Sequence, residues 1–303
     1  MITVSILLTC HNRKEKTLMS LRTLFESIDY YQANCDDNIS FTVYLTDDGC
    51  SDGTSSAVLQ SFADRNIVII PSDGNAYWAG GMRIAWKKAL SVDNGYDFFI
   101  LINDDVVFKK ECISELFKTH LFSLENYGKG GVYTGFVSEN GDENAILYGA
   151  KKYQKKLMSA FVNLIPTGTP QECEMVNANI LMVAANVVDK IGILDEAFIH
   201  AAADMDYGIR AKRAGFPVLT TSVVCGYSEF DHDNSDDEYQ KVKSMSFSER
   251  MAFINKPTVK QYHDGLVFYW RYEKIKSILL GLSYLLNLFL PSIYYRMYKK
   301  RGH

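Results

Sequence analysis

The run Phe98-Phe99-Ile100-Leu101-Ile102 ends abruptly in Asn103-Asp104-Asp105, and this junction constrains the fold more than any other stretch of the chain. Five large uncharged residues read as a strand buried on both faces, the kind found in parallel sheets covered by helices. Two carboxylates and an amide cannot share that interior, so they mark where the strand leaves the sheet. In open α/β sheets that rim is where ligands bind. Adjacent carboxylates repel unless something positive lies between them, and a divalent cation with oxygen ligands serves. By itself the triplet is equally an Asn/Asp turn.

The preceding residues alternate between two periods. Residues 3–10 read as a strand, broken by His11-Asn12-Arg13, and residues 15–31 space Leu18, Leu21, Leu24, Phe25 and Ile28 as a helix does. Residues 41–46 form a second strand closed by Asp47-Asp48-Gly49, and Ser51-Asp52-Gly53-Thr54 opens a helix to about residue 63. A short strand over 67–71, a glycine-rich loop over 75–81 and a helix over 82–90 complete a β-α-β-α-β-α-β order. That order predicts an α/β fold, a mostly parallel Rossmann-like sheet with helices on both faces. Residues 130–137 and 145–148 read as an antiparallel extension, 175–185 as a buried strand or short helix, and 187–191 as a helix. A helix over 204–214 stopped by Gly215 and a strand over 217–224 follow.

Three further segments carry chemistry. Asp47 and Asp48 stand at a second acidic strand end, where a carboxylate can accept a hydrogen bond from a pyrimidine imide or a ribose hydroxyl, beside a glycine that lets the backbone come close. Gly74-Asn75-Ala76-Tyr77-Trp78-Ala79-Gly80-Gly81 reads as a turn whose glycines present N–H groups at a helix start, which favours phosphate; it is neither a Walker A loop nor GxGxxG. Asp204 and Asp206, two apart, cannot share one helical face, so one caps the helix and Arg210 can pair with the other. A carboxylate in a cleft beside a sugar hydroxyl can act as general base.

In this order, Thr9-Cys10-His11-Asn12-Arg13, Asp47-Asp48-Gly49, Gly74-Asn75 with Gly80-Gly81, Asn103-Asp104-Asp105 and Asp195-Glu196 with Asp204-Met205-Asp206 and Arg210 resemble the family-2 inverting glycosyltransferases of the GT-A fold. The resemblance covers residues 3–228 and implies a surface-polysaccharide, rhamnosyltransferase-like enzyme. It implies that Asp204 is the base and that Thr9, His11, Asn12, Arg13, Asp47, Asp48, Asn75, Trp78, Gly80, Gly81, Asn103 and Asp104 bind the nucleotide sugar. It further implies that Asp105, with His232, holds Mn2+ or Mg2+, and that Asp206 and Arg210 contact the acceptor or the diphosphate. Two departures stand out: the glutamate before the family's base is Ala203 here, and the metal motif opens with Asn103. The Gln-x-x-Arg-Trp motif of processive synthases is absent, which implies transfer of one sugar from a UDP- or dTDP-linked donor to a glycan or lipid-linked glycan. A nucleotide-sugar-binding protein without transferase activity is the alternative. A dinucleotide-dependent oxidoreductase is disfavoured, because the turn after the first strand has no glycine.

Residues 1–228 are therefore expected to form the catalytic domain, and 229–303 an acidic loop with a helical C-terminal extension. From Ser277 to Tyr295 nineteen residues pass without a charge, and Arg296, Lys299, Lys300 and Arg301 follow. Gly281, Asn287 and Pro291 interrupt the stretch, so it reads as an interfacial helix over 275–301 on anionic headgroups, against a buried or oligomer-forming helix and a span. A net charge of −4 gives no footing for nucleic-acid binding, and six scattered cysteines without a CxxC pair fit reduced thiols. Residues 1–8 lack a basic region before their apolar stretch. The expected location is the cytoplasm, at the inner face of the cell membrane.

Overall fold

The computed structural model describes residues 1–35, 38–93, 95–140, 142–153, 161–229 and 241–299. The chain forms two compact units, Met1–Asp195 with Asp204–Phe230, and Glu196–Ala203 with Asp231–His303.

In the first unit, strands β1 (Ile2–Cys10), β2 (Ile39–Asp47), β3 (Ile67–Pro71) and β4 (Phe98–Ile102) alternate with helices α1 (Lys14–Asn34), α2 (Thr54–Ser61) and α3 (Tyr77–Leu90). β3, β2, β1 and β4 lie side by side and all parallel. The chain runs outward from β1 to β3 and returns to β4 on the far side of β1, so the crevice between β1 and β4 is the topological switch point. Beyond β4 the sheet is mixed. β11 (Ile180–Ala184), which leads into α5 (Ala185–Ile191), runs antiparallel to both β4 and β6 (Val132–Glu139), and β12 (Val218–Ser228) runs parallel to β6. β5 (Val107–Phe108) and β7 (Asp142–Tyr148) add antiparallel edges, and β8 (Ala150–Tyr153), β9 (Phe161–Asn163) and β10 (Met175–Val176) form a small separate sheet.

Side-chain alternation explains the layers. Ile6 and Leu8 of β1 and Ile100 of β4 face Leu21, Leu24 and Ile28 of α1 and Leu116 of α4 (Cys112–Tyr127), all within one buried cluster. On the other face Trp86 of α3 packs on Phe99 of β4 and on Tyr207 of α6 (Ala203–Arg213), with ring centroids 5.6 and 5.5 Å apart. Helices thus cover both faces, and the strand ends are left free to carry polar groups.

The second unit holds α7 (Phe247–Ile254), α8 (Tyr262–Tyr272), α9 (Lys274–Phe289) and α10 (Pro291–Lys299). Ser246 and Glu249 form a reciprocal capping box on α7. A Cβ on Gly265 of α8 would lie 2.8 Å from Leu280 Cδ2 of α9, so a larger residue there would have to turn that side chain aside. Pro291 separates α9 from α10, and among the described residues no helix is long and apolar enough to cross a membrane.

Candidate active site

Parallel register gathers the polar strand ends. Leu8 pairs with Leu45 and Cys10 with Asp47, while Leu7 pairs with Leu101. Two residues further on, Thr9 is therefore level with Asn103, and the three acidic or polar termini share one rim.

Asp48 is 4% exposed, and its two carboxylate oxygens accept the N–H groups of Ala76 at 3.1 Å and Tyr77 at 2.9 Å. This carboxylate at the start of α3 corrects the expected loop over 75–81, because the helix begins at Tyr77 and Gly80 and Gly81 lie inside it. Gly81 serves close packing instead: a Cβ there would sit 2.2 Å from Thr9 Oγ1, and its carbonyl accepts Thr46 Oγ1 at 2.8 Å. Trp78 Nε1 donates to Asn103 Oδ1 at 2.8 Å, tying α3 to the end of β4. Asn75 turns on Asp73, whose carboxylate accepts its N–H.

The polar break after β1 is equally ordered. His11 Nδ1 meets the Asp48 carbonyl, and Asn12, at φ 50°, accepts the Ser51 N–H at 2.7 Å. Asp47 accepts the Cys50 N–H at 2.7 Å and the Ser55 hydroxyl. These bonds shape the turn that aims Asp48.

Arg13 lies between the paired carboxylates, with Nη1 3.1 Å from Asp104 Oδ1 and Nη2 2.8 Å from Asp105 Oδ2. Burial pushes the Asp104 carboxyl up to about 6, against the pull of the Arg13 charge. Asp105 Oδ1 is buried and has no hydrogen-bond partner. An orphaned carboxylate oxygen beside a cleft fits a hard cation, which seeks such a lone pair. Among the described residues no group of three acidic, histidine or cysteine side chains could hold a metal. His232 lies outside the described residues.

Asp204 is 9% exposed, at the start of α6. Its Oδ2 accepts the Ala178 N–H at 3.0 Å and its Oδ1 accepts the Met205 N–H at 2.8 Å. Burial raises its carboxyl above the ordinary range, and these amides together with the Asn177 side chain oppose the rise. Asn177 and Met205 also line a polar cleft of about 230 Å³ with Tyr148, Lys151 and Asn163. Asp206 is wholly buried and pairs with Arg210 Nε at 2.7 Å. The other two Arg210 nitrogens donate to the Ile191 and Ile193 carbonyls, so these groups tie α6 to the preceding turn.

The family model described as glycosyl transferase family 2 matches residues 5–178. The chain belongs to that family. The match runs from β1 through Asp48, Asp104 and Asp105 to the Ala178 amide that holds Asp204. Mannosyltransferase PcManGT from Pyrobaculum calidifontis, solved with GDP-Man and Mn2+, is similar in structure over 98% of this chain and 83% of its own, at 12% identity and a TM-score of 0.53. S. aureus TarS 1-349 with UDP-GlcNAc is similar over 91% of this chain and 74% of its own, at 12% identity and a TM-score of 0.50. At these identities the likeness speaks for the fold, which is GT-A. A comparison with curated protein sequences gives no match. As a family-2 member the chain is a glycosyltransferase.

Sequence reasoning missed the backbone and long-range partners. The Ala178 amide and the Asn177 side chain at Asp204 carry no sequence signal. Arg13 is read from the sequence as a nucleotide-sugar contact, and its bridge to Asp104 and Asp105, more than 90 positions away, has no local signal.

Proposed function

We propose that this glycosyltransferase moves one sugar, with inversion, from a nucleoside-diphosphate donor to a hydroxyl of a glycan or lipid-linked glycan in surface-polysaccharide assembly. The observation that carries the reading is Asp204, a buried carboxylate oriented by two backbone amides beside a polar cleft. Asp204 takes the proton of the acceptor hydroxyl, and the oxygen attacks the anomeric carbon as the bond to the diphosphate breaks on the opposite face. The cleft beside it, lined by Asn163, Asn177 and Lys151, offers an acceptor amide and ammonium partners. The donor lies along the rim from Thr9 and Asp48 to Asp104, beside Asn75 and the first turns of α3, which carry Trp78, Gly80 and Gly81.

Asp105, through its orphaned Oδ1, would hold Mn2+ or Mg2+. Such a cation would neutralise the leaving diphosphate. Arg13 already supplies one positive charge at that place. PcManGT was solved with Mn2+, in line with this assignment. It was solved with GDP-Man and TarS 1-349 with UDP-GlcNAc, so the fold alone does not choose the base. We assign the exposed apolar face of α9 and α10 to the cytoplasmic membrane surface, where a lipid-linked acceptor would reside.

Calorimetry with a panel of UDP-, dTDP- and GDP-sugars in Mn2+, paired with release of nucleoside diphosphate, tests the reading. The expected result is binding and turnover of one donor, with Asp204→Asn retaining binding and losing turnover. Binding without turnover in the wild type would instead fit a nucleotide-sugar-binding protein.

A further inference from the structure

Asp264, in the first turn of α8, is 2% exposed and sits 63 to 65 residues along the chain from the three backbone amides it holds. Its Oδ1 accepts the Ile199 N–H at 3.0 Å, and its Oδ2 accepts the N–H groups of His200 at 2.8 Å and Ala201 at 2.7 Å. His263 Nδ1 lies 2.9 Å from Oδ1. Burial disfavours this charge, yet the ring and the three amides hold the carboxyl below the usual range. Three successive amides converging on one ionised group form a strong local clamp, because a charged acceptor roughly doubles the strength of each bond.

The clamped segment is irregular and strained. Ala202 has φ 61°, a left-handed conformation that alanine adopts only where its surroundings impose it. Next along the chain come Ala203 and Asp204, where α6 begins. The orientation of the first residues of a helix follows from the path of the chain that enters it. All the clamp contacts lie within Glu196–Ala203 and the helical C-terminal segment, which form one compact unit.

We propose that Asp264 is a positioning residue for the base: by fixing Ile199, His200 and Ala201 it sets, through the covalent link of Ala202 and Ala203, the orientation of the Asp204 carboxylate. The inference rests on Asp204 being the base. It gives the C-terminal helices a part in the chemistry in addition to membrane attachment. Asp264 is buried and both its oxygens are taken by these partners, so an effect that runs through Asp204 appears in turnover and not in donor affinity.

The test uses the full chain. In Asp264→Asn, amide exchange at Ile199, His200 and Ala201 is expected to quicken at least tenfold. Exchange at Ala178, whose N–H donates to Asp204, is expected to quicken as well. Turnover is expected to fall at least tenfold, with donor affinity and donor KM within twofold of wild type. Ala202→Gly keeps the clamp and relieves the strained φ, so it folds; it should keep protection at Ile199, His200 and Ala201 while turnover falls several-fold. Unchanged Ala178 exchange and turnover in both variants would show a purely structural clamp and overturn the proposal. So would a fall in donor affinity that matches the fall in turnover. A wild-type chain that turns over no donor would sink the base assignment instead, and Ala178 exchange would still report whether Asp264 orients that carboxylate.

Discussion

Arg13 Nη2 lies 2.8 Å from Asp105 Oδ2, so the last residue of the β1 break reaches 92 positions along the chain to the end of Asn103-Asp104-Asp105. The same guanidinium meets Asp104. The positive charge that the paired carboxylates require is thus partly supplied by the protein. Arg13→Met should cost about 1–2 kcal/mol, less than a fully buried pair, because the Arg13 side chain is 35% exposed. Adding Mn2+ should raise the melting temperature of the variant more than that of the wild type, since the cation takes over the neutralisation. Equal shifts in the two proteins would remove Asp105 from the metal site.

Gly80 and Gly81 should respond in opposite ways to alanine. A Cβ on Gly81 meets Thr9 Oγ1 at 2.2 Å and Thr9 Cβ at 2.7 Å, so β1 or α3 must shift. Gly81→Ala should cost about 1–3 kcal/mol, partly offset by about 1 kcal/mol of helix propensity. At Gly80 the nearest atom is Ala76 Cβ at 3.5 Å, an ordinary contact, and Gly80→Ala should gain up to about 1 kcal/mol. Denaturant midpoints of the two variants decide, and a stabilising Gly81→Ala would refute the packing role.

Those glycines also show where sequence reasoning stops. Phe98–Ile102 was legible because an uninterrupted apolar run has few alternatives. The Asp206–Arg210 pair was legible because an i,i+4 spacing on a helix dictates it. The start of α3 was not, since the carboxylate at its start belongs to Asp48, 28 residues earlier. α4 has no clean stripe: Thr119 and Ser123 are buried while Leu121 and Leu124 are exposed. The clamp at Asp264 depends on a pairing over more than 60 residues that no local pattern encodes.

The C-terminal helices predict membrane binding. On α9, Leu280, Tyr284 and Leu288 pack inward, yet Ile275, Ile278, Leu279, Leu282, Leu285 and Phe289 are all about half exposed or more. A helix apolar on every side needs a second apolar environment. Ile278→Glu with Leu282→Glu should reduce sedimentation with phosphatidylglycerol-containing vesicles at least tenfold, given about 1.5–3 kcal/mol for each buried side chain. Unchanged vesicle binding refutes the membrane assignment, and so would a concentration-dependent dimer that the same pair of changes dissolves.

Asp204 sets opposite pH trends for stability and activity. Burial raises its carboxyl pKa above the value it has in the unfolded chain, and the Ala178 and Met205 amides only moderate the rise. Between the unfolded and folded values the native state therefore holds a proton that the unfolded chain has released. The native state binds more protons there, so stability falls as pH climbs through that window. A general base works only when ionised, so turnover should climb over the same window. Asp204→Asn removes the ionisation and should abolish transfer. Its amide nitrogen cannot accept as a carboxyl oxygen does, so one of the two N–H groups loses its acceptor, which costs about 1 kcal/mol. The melting temperature of the variant minus that of the wild type should then increase as pH climbs above the ordinary aspartate value, because only the wild type must ionise a buried group. Thermal melts of both proteins across that range, alongside donor consumption by the wild type, measure the two trends. A difference that stays flat with pH would mean that Asp204 ionises as an ordinary exposed carboxylate, and the raised-base mechanism would fall with it.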